Sequence, residues 1–453
     1  MKKKLFTLML SITTVFVLGA CIGGGGNGEE TAVNIPDSVP EEEIVVDMDH
    51  AFGDDNQALI DQAMEDFPYD NITLNQVSRG GYEGLREATM HAMVSGTTPD
   101  IIMGYPDHFV GYLTGQAMVP LQDYMEHEEF GIDEDDFVDS FMEENQQYQD
   151  GNQYSLPFAK STEMIVYNRD VFENHGISMD DRDFVYWSDV EAWSDDLLND
   201  CGKVFNMDSP DNQFIIGSAQ WGAPYTTDEG EVLLDNDTTR DMLNYFSGLI
   251  DDDILAYPQH WDDNFGSQPF KDGEVCMTQG STGGARYNIP EPGTFEAGFM
   301  PSIQYEDGDY AAIQQGPNIG IMSNNTEEER LAAWLIIKHL LNPENTAEFS
   351  MATGYMPVRD SSFELDFFSD FLSIVDQDFA DLDPDEQDQY AFAQAVDVGQ
   401  QQFDIMSFEP AFTGDVSSAA VRLRVGQALE SIHAGTRDVD ESIQWIYDQL
   451  RIN

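Results

Sequence analysis

An alternation of apolar strands and amphipathic helices over residues 43–103 limits the folds open to this chain more than any other feature. Glu43-Ile-Val-Val-Asp47 reads as a strand. Gln57 to Phe67 follows as a helix, with Leu59, Ile60, Ala63, Met64 and Phe67 on one face. Asn71 to Val77 is a second strand, Tyr82 to Val94 a second helix stopped by Gly96, and Pro99 to Met103 a third strand. This βαβαβ order predicts a parallel sheet with helices on its faces. Ligands of such sheets sit off the carboxyl ends of the strands, which is where Tyr82 and Tyr105 fall.

A second α/β region follows an extended crossing at Tyr154 to Phe158, which is interrupted by Pro157. Proline lacks the ladder donor, so it suits an edge or a passage between domains. Lys160-Ser-Thr-Glu163 is polar, and Met164-Ile-Val-Tyr167 reads as a buried strand. The sequence then predicts a helix from Trp187-Ser188 capped by Ser188 and Glu191, a buried strand at Phe214-Ile-Ile-Gly217 leading to Trp221, and a helix over Asn236–Asp251. Phe270 to Met277 reads as a strand that delivers the glycine-rich loop Gln279-Gly-Ser-Thr-Gly-Gly284. Ile313 to Met322 reads as a strand broken at Gly316-Pro317. Thr326-Glu-Glu-Glu329 is a capping box that opens a strong helix, Arg330 to Leu341, ended by Asn342-Pro343. A helix to Thr353 precedes Gly354-Tyr355-Met-Pro-Val358, and Ser417–Ala434 and Asp440–Leu450 are the last helices.

The amino terminus has the form of a secretory signal. Lys2, Lys3 and Lys4 precede a short apolar run, Leu5 to Val17, and Leu18-Gly-Ala-Cys21 closes it. Gly-rich and then acidic residues from 22 to 43 read as a disordered tether. Net charge is −67, from 86 acidic against 19 basic residues. Such a surface disfavours nucleic acid and anionic lipid as partners. Hydrophobic content is ordinary at 41%, so the acids are expected to cover normal cores and to be adapted to high salt. Cys201 and Cys276 are the remaining cysteines; whether they meet is left open by the sequence.

Several short motifs occur in an order that resembles bacterial extracellular solute-binding proteins, the capture subunits of ABC importers. They are Pro157-Phe158 with Ser161-Thr162 and Tyr167-Asn168, Gly115 to Tyr124, Phe270-x-x-Gly-x-x-Cys-Met277, Ala332-Ala-Trp334, Asn342-Pro-Glu-Asn345 and Thr353-Gly-Tyr-x-Pro357. The resemblance spans about residues 44 to 453 and implies a periplasmic-binding-protein-like type II fold. Two α/β lobes, 44–157 with 302–345 and 158–301 with 346–453, would flank a central cleft. Crossing segments near Phe158, Pro301 and Met356 would join them. Leu-Gly-Ala-Cys resembles a lipobox, which implies lipid on Cys21 and a place on the outer face of the cell membrane. The expected partners are a small solute and the membrane permease, with no cofactor, no metal and no catalysis; the protein is expected to be a monomer.

Within that family the likeness runs to glycerol-3-phosphate-binding proteins. It implies ligand contact by Tyr82, Ser161, Ser281 or its neighbour Thr282, Gly316, Tyr355 and Arg422, with Trp221 placed like a cleft tryptophan. Tyr105 stands at the end of the third strand, where those binders carry an aromatic followed by an acid; here Pro106 intervenes before Asp107. A phosphate wants a fixed guanidinium and hydroxyl donors, which Arg422 and the serines would supply. In so acidic a chain Arg422 also reads as an ion-pair partner, and Trp221 as core. A neutral sugar binder would use the abundant tyrosines and carboxylates instead. A secreted glycosidase would need a set pair of carboxylates, which 86 acids supply by chance alone. A lipid-anchored scaffold would need no cleft. Asp381-x-Asp383-x-Asp385 lacks the glycine and final glutamate of a calcium loop.

Overall fold

Twelve strands among the described residues organise the protein, seen in a computed structural model: β1 (Ile44–His50), β2 (Ile72–Ser78), β3 (Ile101–Gly104), β4 (Leu156–Pro157), β5 (Glu163–Asn168), β6 (Lys203–Met207), β7 (Leu255–Ala256), β8 (Val275–Ser281), β9 (Ala297–Pro301), β10 (Ala312–Ile313), β11 (Asn318–Ile321) and β12 (Met406–Ser407). The structure describes residues 33–452 except 180, 181, 228, 229, 292, 378, 380, 381, 383 and 415. The signal-like segment with Cys21, the first part of the tether, Asp381 and Asp383 lie outside the described residues. Asn34 onward forms one compact unit.

Two five-stranded sheets build two α/β lobes. The first runs β2-β1-β3-β11-β4 and the second β7-β6-β8-β5-β9. β1 pairs in parallel with β2 and β3, as the opening alternation predicts. β11 returns antiparallel against β3 and β4 from more than 150 residues away in the chain. In the second sheet β5 lies antiparallel between β8 and β9, while β6 pairs in parallel with β7 and β8. β10 and β12 form a separate two-stranded pair.

The helices follow their local signals. Thr326 and Glu329 exchange the reciprocal bonds of a capping box, Thr326 N–H to Glu329 at 2.8 Å and Glu329 N–H to Thr326 Oγ1 at 3.2 Å. The Glu327–Leu340 helix that follows is buried on most of its length, with Trp334 donating to the Phe130 carbonyl at 2.9 Å. Asn342 caps the next helix, Pro343–Thr353.

Three sequence expectations need correction. The Phe214–Gly217 segment is not a strand but the middle of a helix, Pro210–Gln220. Ser209 caps it and Pro210 occupies its first turn; because almost every residue is buried, no amphipathic period marks it as helical. The Trp187–Cys201 helix takes its reciprocal carboxylate from Asp189, which accepts from Tyr186 N–H at 3.1 Å, rather than from Glu191. Phe270 closes a short helix, Ser267–Lys271, and the chain turns at Gly273 before β8 begins.

Beside a separate cluster that includes Met164, Val166, Val275 and Phe299, a large hydrophobic core of the second lobe is built from Ile165, Phe205, Trp187, Phe246, Leu429 and Ile446 among others. Cys201 and Cys276 form a disulfide across that core, from helix end to β8. Such a bond suits an oxidising compartment outside the cytosol.

Candidate ligand-binding site

A cavity of about 510 Å³ opens where the two sheets face each other. The first lobe contributes Tyr82, from the start of the Tyr82–Ser95 helix, and Tyr105, which caps the Pro106–Thr114 helix. Their rings meet edge to face with centroids 4.7 Å apart. Both stand where β2 and β3 deliver the chain, at the carboxyl ends of parallel strands, as expected of this topology.

Crossing segments supply the floor. Ser161 and Gln315 exchange backbone hydrogen bonds at 2.9 and 2.8 Å, so the chain between the lobes is itself a small ladder. Gly316 sits at φ +93°, and a Cβ there would lie 1.9 Å from the Ala159 carbonyl oxygen, so only glycine fits. Beneath this ladder Lys160 is fully buried. Its ammonium donates to Glu144 at 2.5 Å, to the Gly316 carbonyl at 3.0 Å and to Asn318 at 3.3 Å. Glu144 also accepts from Asn318 at 3.0 Å, and Asn145 links Asn318 to Ser155 and Tyr148. The seam is a satisfied polar network, with one charge of each sign at its centre.

Tyr355 reaches the cavity from the third crossing, where Lys160 and Met356 bridge. Its ring lies on the glycine-rich turn: a Cβ on Gly283 would meet it at 2.7 Å. Phe52 and Phe349 pack behind it, with centroids 6.1 and 6.0 Å away. Burial pushes the Tyr355 phenol up to about 12, and raises Tyr82, which faces both other phenols, and Tyr105 as well. All three remain neutral hydroxyls able to donate and accept.

The second lobe adds amides and carboxyls. Glu163, at the start of β5, is 2% exposed. It accepts from Asn212 at 2.6 Å and from Gln279 at 2.8 Å. Gln279 is oriented in turn by the Ile303 N–H, which donates to its Oε1 at 2.8 Å. Burial, with Asp208 and Asp211 nearby, pushes the Glu163 carboxyl up to about 7 against these two donors. Asp208 follows β6, and burial raises it to about 6.

Six of the nine positions expected from the sequence line this cavity: Tyr82, Tyr105, Ser161, Ser281, Gly316 and Tyr355. Three do not. Thr282 is fully buried one residue below the lining Ser281, its amide donating to the Thr162 carbonyl at 2.9 Å. Trp221 stacks on Tyr305, with ring centroids 3.7 Å apart, against the second lobe's core. Asn212 brings the amino end of the Pro210–Gln220 helix to the cavity; nine residues on, at about 1.5 Å per residue, Trp221 stands some way beyond. Arg422 lies behind the lining. It pairs with Asp211 at 2.8 Å and with Glu409, and donates to Asn212, which does line the cavity. Sequence reasoning missed Asp208, Asn212, Gln315 and Asn288, which no short motif marks, and gave no role to Glu163 and Gln279, which end the polar patch and open the glycine-rich loop.

The model of the bacterial extracellular solute-binding proteins matches residues 58–371. The chain belongs to that family. Among curated relatives, the sn-glycerol-3-phosphate-binding periplasmic proteins UgpB of Escherichia coli strain K12 and of Shigella flexneri serotype 5b are each 24% identical over 300 residues, 63% of this chain and 67% of theirs. Solved structures share the fold. A UgpB from Mycobacterium tuberculosis in complex with glycerophosphocholine superposes with a TM-score of 0.72 at 21% identity, over 90% of this chain and 97% of that one. An ABC substrate-binding protein from Listeria monocytogenes in complex with cycloalternan gives 0.71 at 15% identity, over 91% and 98%. A maltose-binding domain from Bdellovibrio bacteriovorus bound to maltotriose gives 0.68 at 15%, over 90% and 99%. These neighbours share the two-lobed fold, and by its family this chain is an extracellular solute-binding protein.

Proposed function

We propose that this solute-binding protein captures glycerol 3-phosphate or a related glycerophosphate between its lobes and delivers it to the permease of an ABC importer. The observation behind the reading is the convergence on one cavity of five positions at which the chain resembles glycerol-3-phosphate binders, Tyr82, Ser161, Ser281, Gly316 and Tyr355, with Arg422 hydrogen-bonded to a further lining residue, Asn212. In this arrangement the serine and tyrosine hydroxyls hold the ligand's oxygens, and Tyr82 and Tyr105 cover its carbon backbone. Arg422 exchanges one carboxylate partner for the phosphate. Closure, with the lobe built on the first sheet moving against the lobe built on the second, makes ligand contact from both sides readable by the permease. The chain catalyses no reaction and acts as a monomer. Cys21 carries the lipid that holds it to the outer face of the membrane.

A neutral sugar is the second reading. It is favoured by the two carboxyls, Glu163 and Asp208, and by the absence of Lys, Arg or His from the described lining.

Calorimetric titration of the purified protein in high salt separates the two, using glycerol 3-phosphate, then glycerophosphodiesters, then maltose-type oligosaccharides. Arg422→Ala should weaken a phosphorylated ligand by about 1.5–3 kcal/mol, the worth of a charge-assisted hydrogen bond. Tight sugar binding that Arg422→Ala leaves alone replaces the first reading with the second.

A further inference from the structure

The second lobe's side of the cavity is made of acceptors that lack donors. Asp208 uses Oδ1 for both of its bonds, from Asn206 at 2.9 Å and the Gly266 N–H at 2.6 Å. Its Oδ2 lies over the lining residue Gly280 and accepts from no described residue. Glu163 accepts one bond at each oxygen, which leaves further lone pairs on both. Asn288 is 4% exposed, and its Oδ1 has no partner. The Gly284 carbonyl, 3.3 Å from Asn288 Nδ2, fixes that amide the right way round, since a flip would set oxygen against oxygen.

Nor is the charge matched. Every donor to Glu163 and Asp208 is a neutral amide or a backbone N–H. The cavity lining includes no Lys, Arg or His among the described residues. The nearby cation, Arg422, already faces both Asp211 and Glu409. Two enclosed carboxyls without a counter-ion favour either a proton or an incoming cation.

We infer that Glu163, Asp208 and Asn288 form a subsite for a primary ammonium group on the ligand, three acceptors for three N–H donors. The inference rests on capture in this cleft and refines its ligand: the group belongs either to an aminoalkyl ester of a glycerophosphate or to an amino sugar. A quaternary ammonium fills the charge but has no N–H to give.

The test is calorimetry with matched pairs on the purified protein: glycerophosphoethanolamine against glycerol 3-phosphate, and glucosamine against glucose. In one pair the amine-bearing member should bind at least about tenfold more tightly. Which pair responds identifies the source of the amine. Asp208→Asn and Glu163→Gln should each shrink that ratio several-fold. A third readout needs no variant. Glu163 faces Asp208 and Asp211, and Asp208 faces Asp263; binding of the amine between pH 6 and 7 should expel protons from this group, seen as a dependence of the heat on buffer. Equal affinities within both pairs, or a preference untouched in both variants, overturn the subsite while capture stands. Failure of all four ligands to bind removes the capture reading for these classes and the subsite with it.

Discussion

Two buried carboxyls stand on either side of the crossing segment, and they are treated differently. Glu144 lies in the seam against the ammonium of Lys160, with Asn318 completing its shell. Glu163, three residues after Lys160, meets only the amides of Asn212 and Gln279. The first carboxylate is matched in charge by an ammonium as buried as itself. The second is held in place by dipoles and left short of a cation at the wall of a cavity. A matched buried pair fixes the geometry of a joint; an unmatched one leaves room for something to bind. Burial alone does not separate structural acids from functional ones in this chain, whereas the sign of the neighbour does.

Removing the seam's cation should have the largest effect. Lys160→Met leaves Glu144 buried without its partner, which costs about 3–5 kcal/mol, measurable by urea denaturation. A loss below about 1 kcal/mol would mean that the seam is no more tightly defined than a surface pair. Glu163 should respond in the opposite direction. Its carboxyl is raised in the folded state to about 7 and Asp208 to about 6, so between pH 4.5 and 7 the folded protein holds more protons than the unfolded chain. Stability should therefore be highest below that window and fall as pH rises through it, by up to about 1.4 kcal/mol per pH unit for each carboxyl. Glu163→Gln should flatten the slope; a slope unchanged in that variant assigns it to other acids. On the opposite wall, Tyr82→Phe removes a hydroxyl without emptying space, and ligand affinity should fall by about 1 kcal/mol while the melting temperature holds. The smallest local effect comes from salt. With a net charge of −67, the melting temperature should rise from low to molar salt as surface repulsion is screened, whereas the Lys160→Met penalty should change little. A melting temperature indifferent to salt would contradict the high-salt reading of the surface.

The first lobe's wall was legible because the part of its sheet that carries it, β1 to β3, is parallel and local. Each strand and helix of residues 44–104 has its own period, and the topology then puts Tyr82 and Tyr105 at the strand ends. Thr326 and Glu329 likewise announced their helix through a capping box that acts within three residues. Of the second lobe's wall only Ser281 and its glycine-rich loop were legible, for two physical reasons. Its members meet through antiparallel pairing of β5 with β8 and β9, so Glu163 and Gln279 bond across 116 residues of sequence. And Glu163 and Asp208 are two among 86 acids, indistinguishable until burial singles them out. The helix Pro210–Gln220 hid for a related reason: a segment buried on nearly all sides has no period to read, and Trp221 at its end packs on Tyr305 against the core, the second of the two places the sequence offered it. Arg422 was read both as a ligand contact and as an ion-pair partner, and its pairing with Asp211 and Glu409 fits the second reading.

Capture between two lobes is most directly tested by small-angle X-ray scattering during titration with glycerol 3-phosphate and the other solutes of the calorimetric panel. A solute bound in the cleft should reduce the radius of gyration saturably, with the midpoint found by heat. Heat of binding with no change in size at any saturation would place the ligand elsewhere and contradict the account.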